Sequence, residues 1–221
     1  MMAPLYLSEH IMAGRIFYTK IRGLIIAAAG SMLVIGALFT DLFVLSDDVK
    51  ESSVTEIMQE LILLAVASRF MRRAGEDNAR RPALILMAGF FIVLLIRELD
   101  FAFDLLAHGS WLWFALAISV YAVYQAVRHG QQTLAGLVDF MSCPSWGMMC
   151  AGILTVLIFS RFFGMNELWR HIAGEDYPRV VKNLAEEGTE LFGYMLCLLS
   201  TLDYLRELKT DDRPQPGGYP Y

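Results

Sequence analysis

Asn183-Leu-Ala-Glu-Glu-Gly-Thr-Glu-Leu-Phe-Gly-Tyr194, continuing as an apolar run to Leu205, is the stretch whose reading decides the fold. From Leu191 onward it has the composition of a membrane-crossing helix, yet Glu186, Glu187 and Glu190 stand near its start. An ionised side chain at the centre of a bilayer costs at least roughly 2.5 kcal/mol on the mildest scale. Three carboxylates within about a turn and a half therefore need partners, protons or water.

The rest of the chain supports the membrane reading. Of 221 residues, 56% are hydrophobic and only 19% are charged, a balance that points to a polytopic membrane protein. The net charge of −5 gives no basis for nucleic-acid binding, and the partner expected is the lipid bilayer. Six apolar runs stand at about 23–45, 54–72, 83–106, 111–127, 147–165 and 183–205. Each comes near the roughly 20 helical residues that cross a hydrocarbon core. The fold class expected is thus all-α, a six-helix transmembrane bundle spanning 23–208.

Residues 1–22 precede it as an interfacial segment. Glu9, His10, Arg15, Lys20 and Arg22 interrupt any signal-peptide run there. Residues 209–221, rich in Pro, Gly and charge, read as a disordered tail, and 129–146 as a loop with room for a short interfacial helix. Basic residues crowd the N-terminus, the 69–81 loop and the C-terminal segment, whereas the 47–53 loop has only Lys50 and the 107–110 loop has none. The positive-inside rule then puts both termini in the cytoplasm of a multi-pass plasma or inner membrane protein. Arg170, Arg179 and Lys182 run against this count, but Glu167, Glu175 and Asp176 accompany them.

With that topology, spans two and six start outside and run inward, placing Glu56, Glu60, Glu186, Glu187 and Glu190 in the outer third. Spans three and five run outward, so Arg97, Glu98, Asp100, Asp104, Arg161 and Glu167 finish in the same layer. Helical spacing groups these residues further. Glu56 and Glu60 are i,i+4, with Gln59 beside them; Glu187 and Glu190 are i,i+3, with Asn183 and Tyr194 extending the stripe. Arg97, Asp100 and Asp104 share a face that can close an Arg97–Asp100 pair, while Glu98 points about 100° away. Arg97 could equally reach across to Glu190.

Two arginines among so many acids leave surplus negative charge. The function expected is binding, and movement, of a small cation, a proton first and a divalent metal second. Glu60, Glu98, Glu187 and Glu190 would exchange it, and Arg97 and Arg161 would set their affinity. The competing expectation is a non-catalytic structural or assembly subunit in which the arginines only clamp carboxylates. A third is a membrane-embedded metal-dependent enzyme. His108 and His171, on the same side as the acids, are the loop ligands that could complete a metal site. Against an enzyme, no Glu-x-x-His pair of a di-metal bundle, Gly-x-Ser-x-Gly, His-Glu-x-x-His or phosphate loop is present. Ser160 and Thr201 read as hydroxyls bonded to their own helix, and Cys143, Cys150 and Cys197 as packing residues. Spans one and four lack the acidic layer, so they are expected to pack outside, facing lipid or a second copy of the chain.

Overall fold

The computed structural model describes residues 3–44, 53–105, 107–174 and 177–211. Every regular element among them is helical. In chain order these are α1 (Ala3–Phe39), continued by a π-helical turn over Thr40–Val44, α2 (Val54–Glu76), α3 (Arg81–Glu98), α4 (Asp100–Asp104) and α5 (Trp111–Arg128). They are followed by α6 (Gly130–Ser142), α7 (Trp146–Leu154), a second π-helical turn (Thr155–Phe159), α8 (Ser160–Phe163), α9 (Asn166–Ala173) and α10 (Arg179–Asp211).

Two helical segments, Phe17–Val44 and Trp146–Phe163, are long and apolar enough to cross a membrane. The other four runs fall short for reasons visible in their residues. Both α2 and α10 carry glutamates inside the apolar stretch, α3 has Arg97 and Glu98 in its last turn, and Trp, Tyr, Gln125 and Arg128 dilute α5. The N-terminal segment, expected as a separate interfacial element, is continuous from Ala3 with the first apolar run. Of the tail expected as disordered over 209–221, residues 209–211 instead continue α10 as helix, and 212–221 lie outside the described residues.

α10 is the central helix, packed against α1, α2, α7, the second π turn and α8, while α3 joins α2 to α5 and α6. The core is built from Leu63, Val66 and Phe70 of α2, Leu84, Ala88 and Phe91 of α3, and Leu191, Tyr194 and Tyr204 of α10. Close helix contacts depend on glycine. A Cβ at Gly193 would stand 2.6 Å from Val156 Cγ2 and 2.9 Å from the Gly152 carbonyl oxygen, so α7 and α10 touch through their backbones. Gly136, in the stretch read as a loop, lets α6 sit directly on Ala83 of α3. That tertiary contact accounts for a helix whose glycines, Gly130 and Gly136, argued against one.

Polar groups fix the helix ends. Asp41, in the first π turn and fully buried, accepts from Val54 N (2.8 Å), Thr55 N (2.9 Å) and Thr55 Oγ1 (2.5 Å). Ser53 Oγ accepts from Glu56 N at 3.2 Å, so two side chains satisfy the orphan donors that open α2. At the other end of α2, Asp77 accepts from Arg80 N (3.1 Å), Arg80 Nη1 (3.1 Å) and Arg73 Nη2 (3.4 Å). Arg80 Nε also donates to Asp139 at 2.8 Å, tying the start of α3 to α6.

Burial alone would raise the Asp77 carboxyl, but the hydrogen bonds and charge of Arg80, with the charge of Arg73, outweigh it and hold the group below the ordinary carboxylate range. A carboxyl depressed by folding stabilises the native state above its unfolded value of about 3.9, and that contribution is lost as pH falls through the folded value. Asp77→Asn is therefore expected to cost about 1–2 kcal/mol at neutral pH, with the gap from wild type closing below about pH 4 in a melting series. A gap that stays constant down to pH 3 would exclude the ion-pair account.

Candidate functional site

Four helices bring polar side chains to one place between α2, α3, α8 and α10. At its centre is Glu190, whose side chain is only 2% exposed. Arg161 pairs with its Oε1, Arg97 Nη2 lies 3.4 Å from the same oxygen, and Ser160 Oγ lies 3.0 Å from it. The Ser160 hydroxyl also lies 2.5 Å from the Val156 carbonyl, so its single proton can go to either acceptor. The second π turn immediately precedes Ser160 and Arg161 and sets the register in which both face α10.

Arg97 also pairs with its neighbour Glu98, and Tyr194, fully buried on α10, donates its hydroxyl to Glu98 Oε1 at 2.6 Å. This departs from the Arg97–Asp100 pair that helical spacing allows. Leu99 leaves helical dihedrals and ends α3, which takes Asp100 out of the regular register; Asp100 is solvent-exposed instead. Arg97 thus pairs with the adjacent Glu98 of its own helix and bridges to Glu190 on α10. Further out, Arg161 Nη1 lies 3.5 Å from Glu186 Oε1, and Lys182 Nζ donates to Glu186 Oε2 at 3.1 Å. A Cβ on Gly164 would collide with the Glu186 carboxylate, so that glycine makes its space.

Glu187 is held differently. Gln59, fully buried on α2, donates its Nε2 to Glu187 Oε2 and to the Glu187 carbonyl, both at 3.1 Å. Its Oε1 is buried and accepts no hydrogen bond among the described residues. Glu60 stands half-buried one residue on, in the field of Glu98, and Glu187 feels Glu98, Glu186 and Arg161. Glu56 sits in the first turn of α2, where a negative charge faces the positive end of the helix.

The remaining candidates fall elsewhere. Asp104 closes the 107–110 turn, accepting from Gly109 N at 2.8 Å and facing the fully exposed His108 at 3.0 Å. His171 is exposed near the end of α9, and Glu167 is exposed in its first turn. Among the described residues no group of three or more His, Cys, Asp or Glu side chains is arranged to hold a metal ion. The cysteines are unpaired, and burial, with the Glu207 carboxylate beside it, pushes the Cys143 thiol up to about 11, so it stays protonated at neutral pH.

Lys182, Ser160 and Gln59 join the layer without having been named as its ion-handling members. Gln59 and Ser160 each carried a usable signal, being polar residues within apolar runs beside a carboxylate or an arginine. Compared with family models, curated proteins and solved structures, the chain matches none. The arrangement of its own residues carries the functional reading.

Proposed function

We propose that the chain is a six-span integral membrane protein, with both termini in the cytoplasm, whose polar layer binds protons in the outer third of the bilayer and passes them between its carboxylates. The apolar faces support the membrane part. Besides the two membrane-length helices, α5 exposes Trp113, Leu116, Val120, Tyr121, Tyr124 and Val127, and α1 exposes Leu24, Ile25, Met32, Leu33 and Ile35. Contiguous apolar surface on that scale suits lipid or a second copy of the chain rather than water.

The observation that carries proton binding is the mismatch of charges in the layer. Arg97, Arg161 and Lys182 serve Glu98, Glu186 and Glu190, while Glu187 is held by a neutral amide and Glu60 by no cation among the described residues. Two surplus charges in a low-dielectric setting are costly, and a proton is the smallest cation that removes one. The unmatched Gln59 Oε1 leaves an acceptor on the same amide that holds Glu187. Within this reading Glu190 is a fixed clamp, and Glu60 and Glu187 are the exchanging pair. No metal-binding set among the described residues supports the divalent-metal form of the idea.

The second reading, a structural subunit, draws on the double grip of Arg97 and Arg161 on Glu190. Proton flux into vesicles containing the purified protein separates the two. Wild type is expected to pass protons under an imposed potential, and Glu60→Gln or Glu187→Gln to abolish this without loss of folding. Infrared spectra should show a protonated-carboxyl band missing from the Glu187→Gln protein. Flux no greater than in empty vesicles, with no such band, would leave the structural reading standing.

A further inference from the structure

At the opposite end of α2 and α10 from the polar layer, a half-open cavity of about 270 Å³ lies between the two helices. Its walls come from residues 69, 72, 73 and 76 of α2 and 202, 205, 206 and 209 of α10. Each set follows the i, i+3, i+4, i+7 spacing of one helix face, and the sets are more than a hundred residues apart in the chain. The side chains are Arg69, Arg72, Arg73 and Glu76 facing Leu202, Leu205, Arg206 and Lys209.

Five basic groups meet one carboxylate here. Arg73 is engaged by Glu76 and Asp77, and Arg206 by Asp203 at 3.2 Å. Arg69, Arg72 and Lys209 have no carboxylate within ion-pair distance among the described residues. The C-terminal ends of α2 and α10 offset this by about half a charge each, leaving roughly two positive charges for the cavity. A collar of lysine and arginine that only orients a membrane protein needs neither concavity nor two converging helix faces. This one has both, with Leu202 and Leu205 as an apolar wall beside the charges.

We infer that this cavity is a binding site for a phosphate-bearing anion, with Arg69 and Arg72 on one wall and Lys209 on the other contacting the phosphate oxygens. Guanidinium groups match phosphate geometry bidentately, and the leucine wall would take the first carbons of a phospholipid. The anion can be an anionic lipid headgroup or a free phosphate, and the site is independent of what the carboxylate layer does.

The test is a melting titration of the full chain in neutral detergent. The probes are short-chain phosphatidylglycerol, short-chain phosphatidylcholine and inorganic phosphate, each against sodium chloride at matched ionic strength. Phosphatidylglycerol should raise the melting temperature where phosphatidylcholine and salt do not. Arg69→Gln/Arg72→Gln should need at least about tenfold more of it, the loss of two charge-assisted contacts. Arg81→Gln/Arg128→Gln, which removes equal charge outside the cavity, should behave as wild type. Should the first variant fail to fold, Arg72→Gln/Lys209→Gln takes one cation from each wall and serves in its place. A rise with inorganic phosphate as well identifies free phosphate as sufficient; a rise with phosphatidylglycerol alone identifies the headgroup. No rise with either anion, an equal rise with phosphatidylcholine, an undiminished response in the cavity variants, or an equal loss in Arg81→Gln/Arg128→Gln would each overturn the site.

Discussion

Glu190→Gln lowers the melting temperature of the purified protein by roughly 6–12 °C, from a loss of about 3 kcal/mol. The carboxylate is almost fully enclosed and receives Arg97, Arg161 and Ser160 on one oxygen. An amide in its place has no charge to offer, so two guanidinium groups lose a shared counter-ion. Breaking a buried pair by removing one partner costs about 3–5 kcal/mol because the other partner is left behind. The lower end applies because Arg161 is 48% exposed and recovers some water, and because Arg97 keeps Glu98 and Arg161 keeps Glu186. Adding Arg161→Gln to the variant should cost less than the sum of the two single changes, since the second removes a charge the first had stranded. The matched control is Asp100→Asn, exposed and outside the cluster, which should stay within about 0.5 kcal/mol of wild type. Equal melting of the Glu190 and Asp100 variants would mean the cluster contributes nothing to folding.

The meeting of these residues was legible because charges are rare in apolar helices and conspicuous when they occur. Glu186, Glu187 and Glu190 on one run, and Arg97, Glu98 and Arg161 on two others, mark a common layer by their distance along each helix. Which carboxylate each arginine takes was not legible. Spacing along a regular helix offers Asp100 to Arg97, and only the end of α3 at Leu99 and the approach of α10 decide for Glu98 and Glu190. Asp41 stands out as the one charge near the end of the first apolar run, but its use was not legible for a related reason, since the donors it accepts from lie across a connection, at Val54 and Thr55. Gly136 argued locally for a loop, whereas its use is to let α6 touch Ala83. Arg69, Arg72 and Arg73 read locally as part of a basic loop, whereas α2 continues through them to Glu76, and the convergence of that face with Arg206 and Lys209 depends on packing that no local pattern records.

Gly193→Val is the packing counterpart of the Glu190 prediction, and it is expected to cost at least about 3 kcal/mol or to prevent assembly of the bundle. The added Cβ would stand 2.6 Å from Val156 Cγ2, 2.9 Å from the Gly152 carbonyl oxygen and 3.2 Å from Val156 N. A side chain could turn aside, but the last two are backbone atoms of the facing helix, and moving them separates α7 from α10. That separation would also carry Ser160 and Arg161 away from Glu190, since α8 follows directly from the π turn that begins at Thr155. Helix propensity works in the opposite direction, because replacing glycine inside a helix gains a few tenths to about 1 kcal/mol. The clash exceeds that gain at Gly193 and is missing at Gly36, where a Cβ meets nothing within 4 Å. Gly36→Ala should therefore melt at or above the wild-type temperature while Gly193→Val melts well below it or fails to fold. Similar melting of the two variants would mean that the backbone contact between α7 and α10 does not hold the polar layer together, and the position of Arg161 would need another cause.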